Sequence, residues 1–321
     1  MKKLVIGALG IFTLFLSSCK DNDDNGDGSV DPASLVSPEI SARVTDPLTS
    51  NPFTGILEIF PCNSESSIYY GNYVNNSLSV FNGYYVIVDG DTFGEYNREI
   101  HLPVGDYNIV YWGTPKYDEP IYNAPAIQEP GLKIGANLSE LYFSLRANQD
   151  GTYMPVFDLV HAVKESHIGS ENIQASLTRV GAGIKIIAKM SEGGKFNSDI
   201  KGIEVHIGGI AEKVNFYTGL PENMTKTVKF DLELSEDSTT MSNATVMLFP
   251  SAENPLLELI ITLQDGSEHF LSQNLNMALT ANTRLTLNIA LGEIHTGGGA
   301  GDFSIEDWNE TSETIEFPII D

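Results

Sequence analysis

A period of two governs this chain from about residue 30 onward, and it narrows the possible folds more than any other feature. Along "LTRVGAGIKIIAKM" (177–190) the even positions Val180, Ala182, Ile184, Ile186, Ala188 and Met190 are apolar, while Arg179, Lys185 and Lys189 face the other way. Successive side chains of a β-strand point to opposite faces, so this segment is a strand with one side in a core. "GIEVHI" turns Ile203, Val205 and Ile207 inward. "VKFDLEL" does the same with Val228, Phe230, Leu232 and Leu234, leaving Lys229, Asp231 and Glu233 outside. "NTRLTLNIALG" closes the series with Leu285, Leu287, Ile289 and Leu291. "LELIITLQDGSEHFLS" reads as two strands around the hairpin dipeptide Asp265-Gly266. No segment after residue 30 carries a run of helical spacing. The expectation is an all-β protein made of two tandem antiparallel β-sandwich domains.

The first half follows the same rhythm with more aromatic residues: "GILEIFP", "SIYYGNYV", "GYYVIV" and "YNIVYWG". Between the halves, "VHAVKESHIGSEN" (160–172) is polar, weakly periodic and glycine-bearing, and reads as a connector. This puts the N-terminal domain at 35–165 and the C-terminal domain at 166–294. Residues 295–321 read as a glycine-rich connector ("HTGGGAGD") followed by a terminal strand in which Ile315, Phe317 and Ile319 alternate. The glycines of "VGAG" (180–183) sit inside a strand pattern with no helix after them, so they signal close backbone approach or a bulge and not a phosphate loop.

The N-terminus has a different character. Met1-Lys2-Lys3 precedes an apolar run from Leu4 to Leu16, and Ser17-Ser18 lead into Cys19. A basic start, a short greasy middle and a small-residue exit make a secretory signal over 1–18. The run is too short for a spanning helix, which needs about 20 apolar residues. Leu16-Ser17-Ser18-Cys19 resembles the bacterial lipobox, which implies lipid on Cys19 after cleavage before it. Residues 19–34 begin "CKDNDDNGDG", acidic and glycine-rich, and read as a flexible tether. Asp21, Asp23, Asn25 and Gly26 match the start of a calcium loop, but the glutamate that should close it is replaced by Pro32. The acidic run also resembles the surface-export signal of Bacteroidetes lipoproteins.

Composition excludes several functions. Without residues 1–18 the chain carries 43 acidic against 16 basic residues, a net charge of −27. Such a surface repels nucleic acid and anionic headgroups. With Cys19 lipidated, only Cys62 remains, so the core is held by packing without an intrachain disulfide. Cys62 lies in an apolar setting with no adjacent base and reads as a buried, inert thiol. Nucleophile elbow, zincin, P-loop and dinucleotide motifs are missing, which points away from an enzyme and from any cofactor. His161, Glu165 and His167 fit no standard zinc spacing, so no metal site is expected. His206 alternates with Glu204 on an outward face. The rings of Tyr69, Tyr70, Tyr85 and Trp112 could stack on sugars or fill the core.

Together, the Cys19 lipobox, "LPVGDYNIVYWG" (102–113), "LTRVGAGIKI" (177–186), "LTANTRLTLNIALG" (279–292) and the terminal "IEDW" (305–308) resemble the FimB/Mfa2 and fimbrillin-like fimbrial proteins of Bacteroides-type bacteria. "GDY" and "YWG" incline the resemblance toward the anchor branch. It implies transthyretin-like sandwiches, a lipid-anchored place at the outer membrane on the cell surface, and other fimbrial subunits as partners joined by strand addition. A host or bacterial surface ligand is the further partner it leaves open. It also implies an arginine-specific trimming site near the start, for which Arg43 in "ISARVTDP" is the candidate; the other reading of Arg43 is a plain exposed side chain. The alternative function is a surface lipoprotein that captures glycans through its aromatic N-terminal half.

Overall fold

The computed structural model describes residues 30–45, 50–81, 83–94, 99–117, 120–292 and 303–305. The signal segment, Cys19 and the alternating Ile315–Ile319 stretch lie outside the described residues. Among the described residues every regular element longer than three residues is a strand. Ten strands come first: β1 (Leu35–Val36), β2 (Ile40–Thr45), β3 (Ser50–Pro52), β4 (Gly55–Asn63), β5 (Asn72–Val74), β6 (Ser77–Ser79), β7 (Tyr85–Val88), β8 (Asp91–Thr92), β9 (Leu102–Pro103) and β10 (Gly105–Pro115). The chain then crosses to another sheet with β11 (Ile127–Gln128) and β12 (Tyr142–Leu145), and returns with β13 (Val160–Ile168) and β14 (Ile173–Arg179). It finishes in the second sheet with β15 (Ala182–Met190), β16 (Ile200–Asn215), β17 (Pro221–Leu234), β18 (Met241–Ser242), β19 (Val246–Leu248), β20 (Leu256–Leu263), β21 (Glu268–Asn274), β22 (Arg284–Leu291) and β23 (Phe303–Ile305).

The first sheet runs β14-β13-β10-β4-β7-β8-β2-β3, and β14 also pairs with β2, so the sheet closes on itself. That closing pair is parallel, as is β15 with β22 in the second sheet. Alternation marks a strand and its faces but gives no direction, so these two departures from an antiparallel plan were not visible in it. The polar stretch expected as a connector is itself paired: β13 aligns with β10 from Gly105↔Ile168 to Gly113↔Val160. Its polarity has a simple cause. Lys164 and Glu165 are exposed while Val160, Ser166 and Ile168 are buried. The expected division at 165 and 166 therefore falls inside a strand, and the two sheets interleave along the sequence.

The alternating residues go where the pattern sends them. Ile203, Val205 and Ile207 of β16, Leu257, Leu259 and Ile261 of β20, and Ile184, Ile186 and Ala188 of β15 join one continuous core with Leu285, Leu287 and Ile289 of β22. Leu234 is the exception at 51% exposed, because β17 ends there and turns toward β18. The glycine signal at 180–183 is a close approach: a side-chain carbon on Gly181 would lie 2.9 Å from the Leu248 carbonyl oxygen. Asp265-Gly266 forms the β20–β21 turn, with Gly266 at φ +84° and the Asp265 carboxylate accepting from Ser267 N at 2.9 Å. The last described strand, β23, pairs with β22.

Truncating a core position should cost far more than truncating its outward neighbour. Ile186→Ala is expected to lower the unfolding free energy by about 2–5 kcal/mol, against less than about 0.5 for Lys189→Ala, as read by urea denaturation.

Candidate functional site

The segment most exposed to a functional demand is β2, because it carries Arg43 and closes the first sheet. On one side β2 runs parallel to β14, from Ile40↔Ile173 to Val44↔Leu177. On the other it pairs with β3, Arg43 opposite Pro52, and with β8. Ala42 donates to the Gly90 carbonyl at 2.8 Å and accepts from Phe53 N at 3.0 Å. A clasp secures the entry to the strand: Asn172 Nδ2 donates to the Glu39 carboxylate at 2.9 Å, and Ile173 N to the Glu39 carbonyl at 2.9 Å. Ile40 and Ala42 point into the core while the Arg43 side chain is exposed. A cavity of about 280 Å³ lies beside it, with Ser41, Arg43, Asp89, Asp91 and Gln174 in its wall. A protease reads an unpaired, extended backbone, so the bond after Arg43 becomes cuttable only when β2 leaves both neighbours.

The aromatic candidates are placed differently from a sugar platform. Tyr69, Tyr85 and Trp112 are buried at 0%, 1% and 1%, and Tyr70 is half-buried against Tyr107, ring centroids 5.4 Å apart. The Tyr69 hydroxyl oxygen accepts from Phe81 N at 2.7 Å. Trp112 belongs to an interlock between the sheets. Its Nε1 donates to the Phe216 carbonyl at 2.9 Å, in the turn between β16 and β17, and its ring meets Phe143 edge-on at 4.8 Å. His161 Nε2 donates to the next carbonyl, Tyr217 O, at 3.1 Å, and Asn108 Nδ2 reaches the Tyr217 hydroxyl at 3.0 Å. Gly219 is obligatory in that turn, with φ +70° and room for no side chain: a Cβ would sit 2.7 Å from His161 Nδ1. Sequence reasoning missed this interlock because its partners are 56 to 109 residues apart.

The remaining candidates separate. His161 is buried, whereas His167 is exposed and pairs with Asp106 at 2.7 Å, and no group of three ligands among the described residues could hold a metal. Cys62 is buried, and burial pushes its thiol up to about 12. His206 lies outward as expected, bonded to Glu204 at 2.6 Å, and Lys229 joins Glu204 at 2.8 Å and Asp150 at 2.7 Å.

With this architecture in view, comparison with known proteins is decisive. The family model for fimbrillin-A associated anchor proteins, Mfa1 and Mfa2, matches residues 36–314. The chain belongs to this family. It is a family of structural proteins, and the chain is not an enzyme. A protein described as an adhesin from Bacteroides ovatus shares the fold at 13% identity and a TM-score of 0.51, over 87% of this chain and 97% of that one. The fimbrial anchor protein Mfa2 from Porphyromonas gingivalis aligns at 11% identity and a TM-score of 0.45, over 83% and 94% of the two chains. A protein from Bacteroides thetaiotaomicron described as polysaccharide-binding aligns at 14% and 0.47, over 84% and 97%. No curated protein sequence matches the chain.

In this member of the anchor family the interlock carries two titratable groups of opposite habit, one buried and one half-buried. Glu58, Trp112 and His161 lie in one row across β4, β10 and β13. Burial pushes His161 down from 6.5 to about 4. Burial, and then the charge of Glu129, pushes Glu58 up from 4.5 to about 7. Between those values both are uncharged. For His161 the unfolded chain binds a proton that the folded chain refuses, so its contribution is whole above pH 6.5 and is lost as pH falls toward 4. Glu58 does the reverse: its contribution is whole below pH 4.5 and is lost as pH rises toward 7. The two slopes offset each other in the native protein. Glu58→Gln should therefore leave unfolding free energy rising with pH between 4.5 and 6.5, and His161→Gln should leave it falling. Urea titrations at stepped pH check this, and slopes of the same sign in both variants contradict it.

Proposed function

We propose that this chain is a lipid-anchored accessory subunit of surface fimbriae, working uncut as the base that holds the fibre to the outer membrane. Family membership supplies the fimbrial role, and the Bacteroides ovatus neighbour described as an adhesin agrees with it in fold. The observation that carries the choice of base over shaft is the seam at β2. A shaft subunit must give up an early strand to open a groove, whereas here the early strand β2 is paired on both sides and clasped by Asn172.

In this reading the diacylglycerol on Cys19 and a further acyl chain on its amine give a lasting hold, each methylene adding about 0.8 kcal/mol. The acidic residues after Cys19 tether the body. Other fimbrial subunits join by strand addition, in which backbone hydrogen bonds give strength and alternating side-chain pockets give register. The glycan alternative gains little from the rings, since Tyr69, Tyr85 and Trp112 present no open face.

Labelled palmitate should appear on the chain expressed in its native type of host and vanish in Cys19→Ala, which should also leave the membrane fraction. Mass spectrometry of the surface-purified protein should find residues upstream of Arg43 still attached. A mature start at Val44 contradicts the anchor role.

A further inference from the structure

β21 closes one flank of the second sheet with a single partner. It pairs with β20 along its whole length, from Leu256↔Asn274 to Thr262↔Glu268, and no other described strand lies against it. The phase of the ladder follows from the bonds at its two ends, Leu263 N to Ser267 O and Leu275 N to Pro255 O. Every second residue between them, namely His269, Leu271 and Gln273, turns its N–H and C=O toward β20. Glu268, Phe270, Ser272 and Asn274 therefore turn theirs away from the sheet.

Proteins usually protect such an edge with lysine, proline, a bulge or a very short strand. β21 has none of these: it is seven residues long, its sequence is EHFLSQN and its register is unbroken. At its centre Phe270 is 61% exposed, beside Ile260 on the neighbouring strand. The surrounding face is acidic. Glu268, Glu258, Glu204 and Asp231 lie across β21, β20, β16 and β17 in register with this pair or one step from it. The cation among them, Lys229, is already held by Glu204 and Asp150.

We propose that the outer edge of β21 is a docking strand for an extended segment of a partner protein that carries a basic residue, an apolar residue and a basic residue at alternate positions. The apolar residue lies beside Phe270, one basic residue opposes Glu268, and the other reaches over the small Ser272 to Glu258, which Ser272 faces across the ladder. A second copy of this chain is disfavoured as the occupant, because a net charge of −25 repels itself. The proposal concerns the second sheet and holds whether or not the anchor reading of β2 does.

The test uses the full chain and a synthetic peptide, acetyl-Thr-Lys-Thr-Val-Thr-Lys-Thr-amide, with the same peptide carrying Glu for Lys as its control. Isothermal titration calorimetry should show saturable binding by the lysine peptide alone, weakening with salt. Ser272→Pro removes an outward N–H and leaves the inner ladder intact, and should weaken binding on the order of tenfold. Phe270→Lys, at an exposed position that the fold does not need, should abolish it by charge repulsion. Glu258→Gln should weaken it and flatten the salt dependence. Several results would overturn the proposal: no binding up to about 1 mM peptide, equal binding of the two peptides, binding untouched by both β21 variants, or sedimentation showing a homodimer that Phe270→Lys dissolves.

Discussion

The parallel pairing of β2 with β14 is the contact on which the first sheet depends. Without it, the sheet is an open array running from β14 to β3; with it, the sheet has no unpaired end apart from the short β3. The stabilisation is made of ordinary parts. Burying Ile40 contributes about 1.5–3 kcal/mol. The backbone bonds of β2 each add on the order of 1 kcal/mol net. What makes the pair consequential is its position: the earliest strand of this sheet completes it, and its other strands come from as far away as residue 179. Whatever detaches β2 opens the sheet, and whatever keeps it in place keeps the body joined to the segment before it.

The interlock at Trp112 plays the corresponding part between the sheets. The β16–β17 turn offers two successive carbonyls, Phe216 O and Tyr217 O, and the first sheet answers with two ring N–H donors, Trp112 Nε1 and His161 Nε2. The donors sit side by side because β10 and β13 are in register at that point, with ring centroids 4.5 Å apart. Phe60, Phe143 and Phe216 seal the site from water. Burial keeps the imidazole there neutral by holding the His161 pKa low. Rings that the sequence offered as sugar platforms are the material of this joint and of the first core.

Legibility followed the range of the interaction. One-sided burial is encoded locally, so the faces of β15, β16, β17 and β22 and the Asp265-Gly266 turn could be read residue by residue. The close approach at Gly181 was also local, since a glycine inside a strand pattern marks a place where neighbouring backbone leaves no room for a side chain. Strand direction and partner choice are not local: Ile40 meets Ile173, and Gly183 meets Arg284, across more than a hundred residues each. The 160–172 stretch misled for a related reason. A strand that exposes lysine, glutamate and histidine looks like a linker until its partner, β10, is known. Aromatic residues were ambiguous because the same ring serves a core and a surface, and only burial separates the two.

The central claim is that β2 remains built into the first sheet of the intact chain. Hydrogen exchange followed by mass spectrometry tests it most directly, on peptides covering residues 40–45 and 173–177. The account predicts that both exchange as slowly as the inner strands β4 and β10, opening only with the whole sheet. Exchange of residues 40–45 at the rate of surface turns, with β4 and β10 still protected, would contradict it.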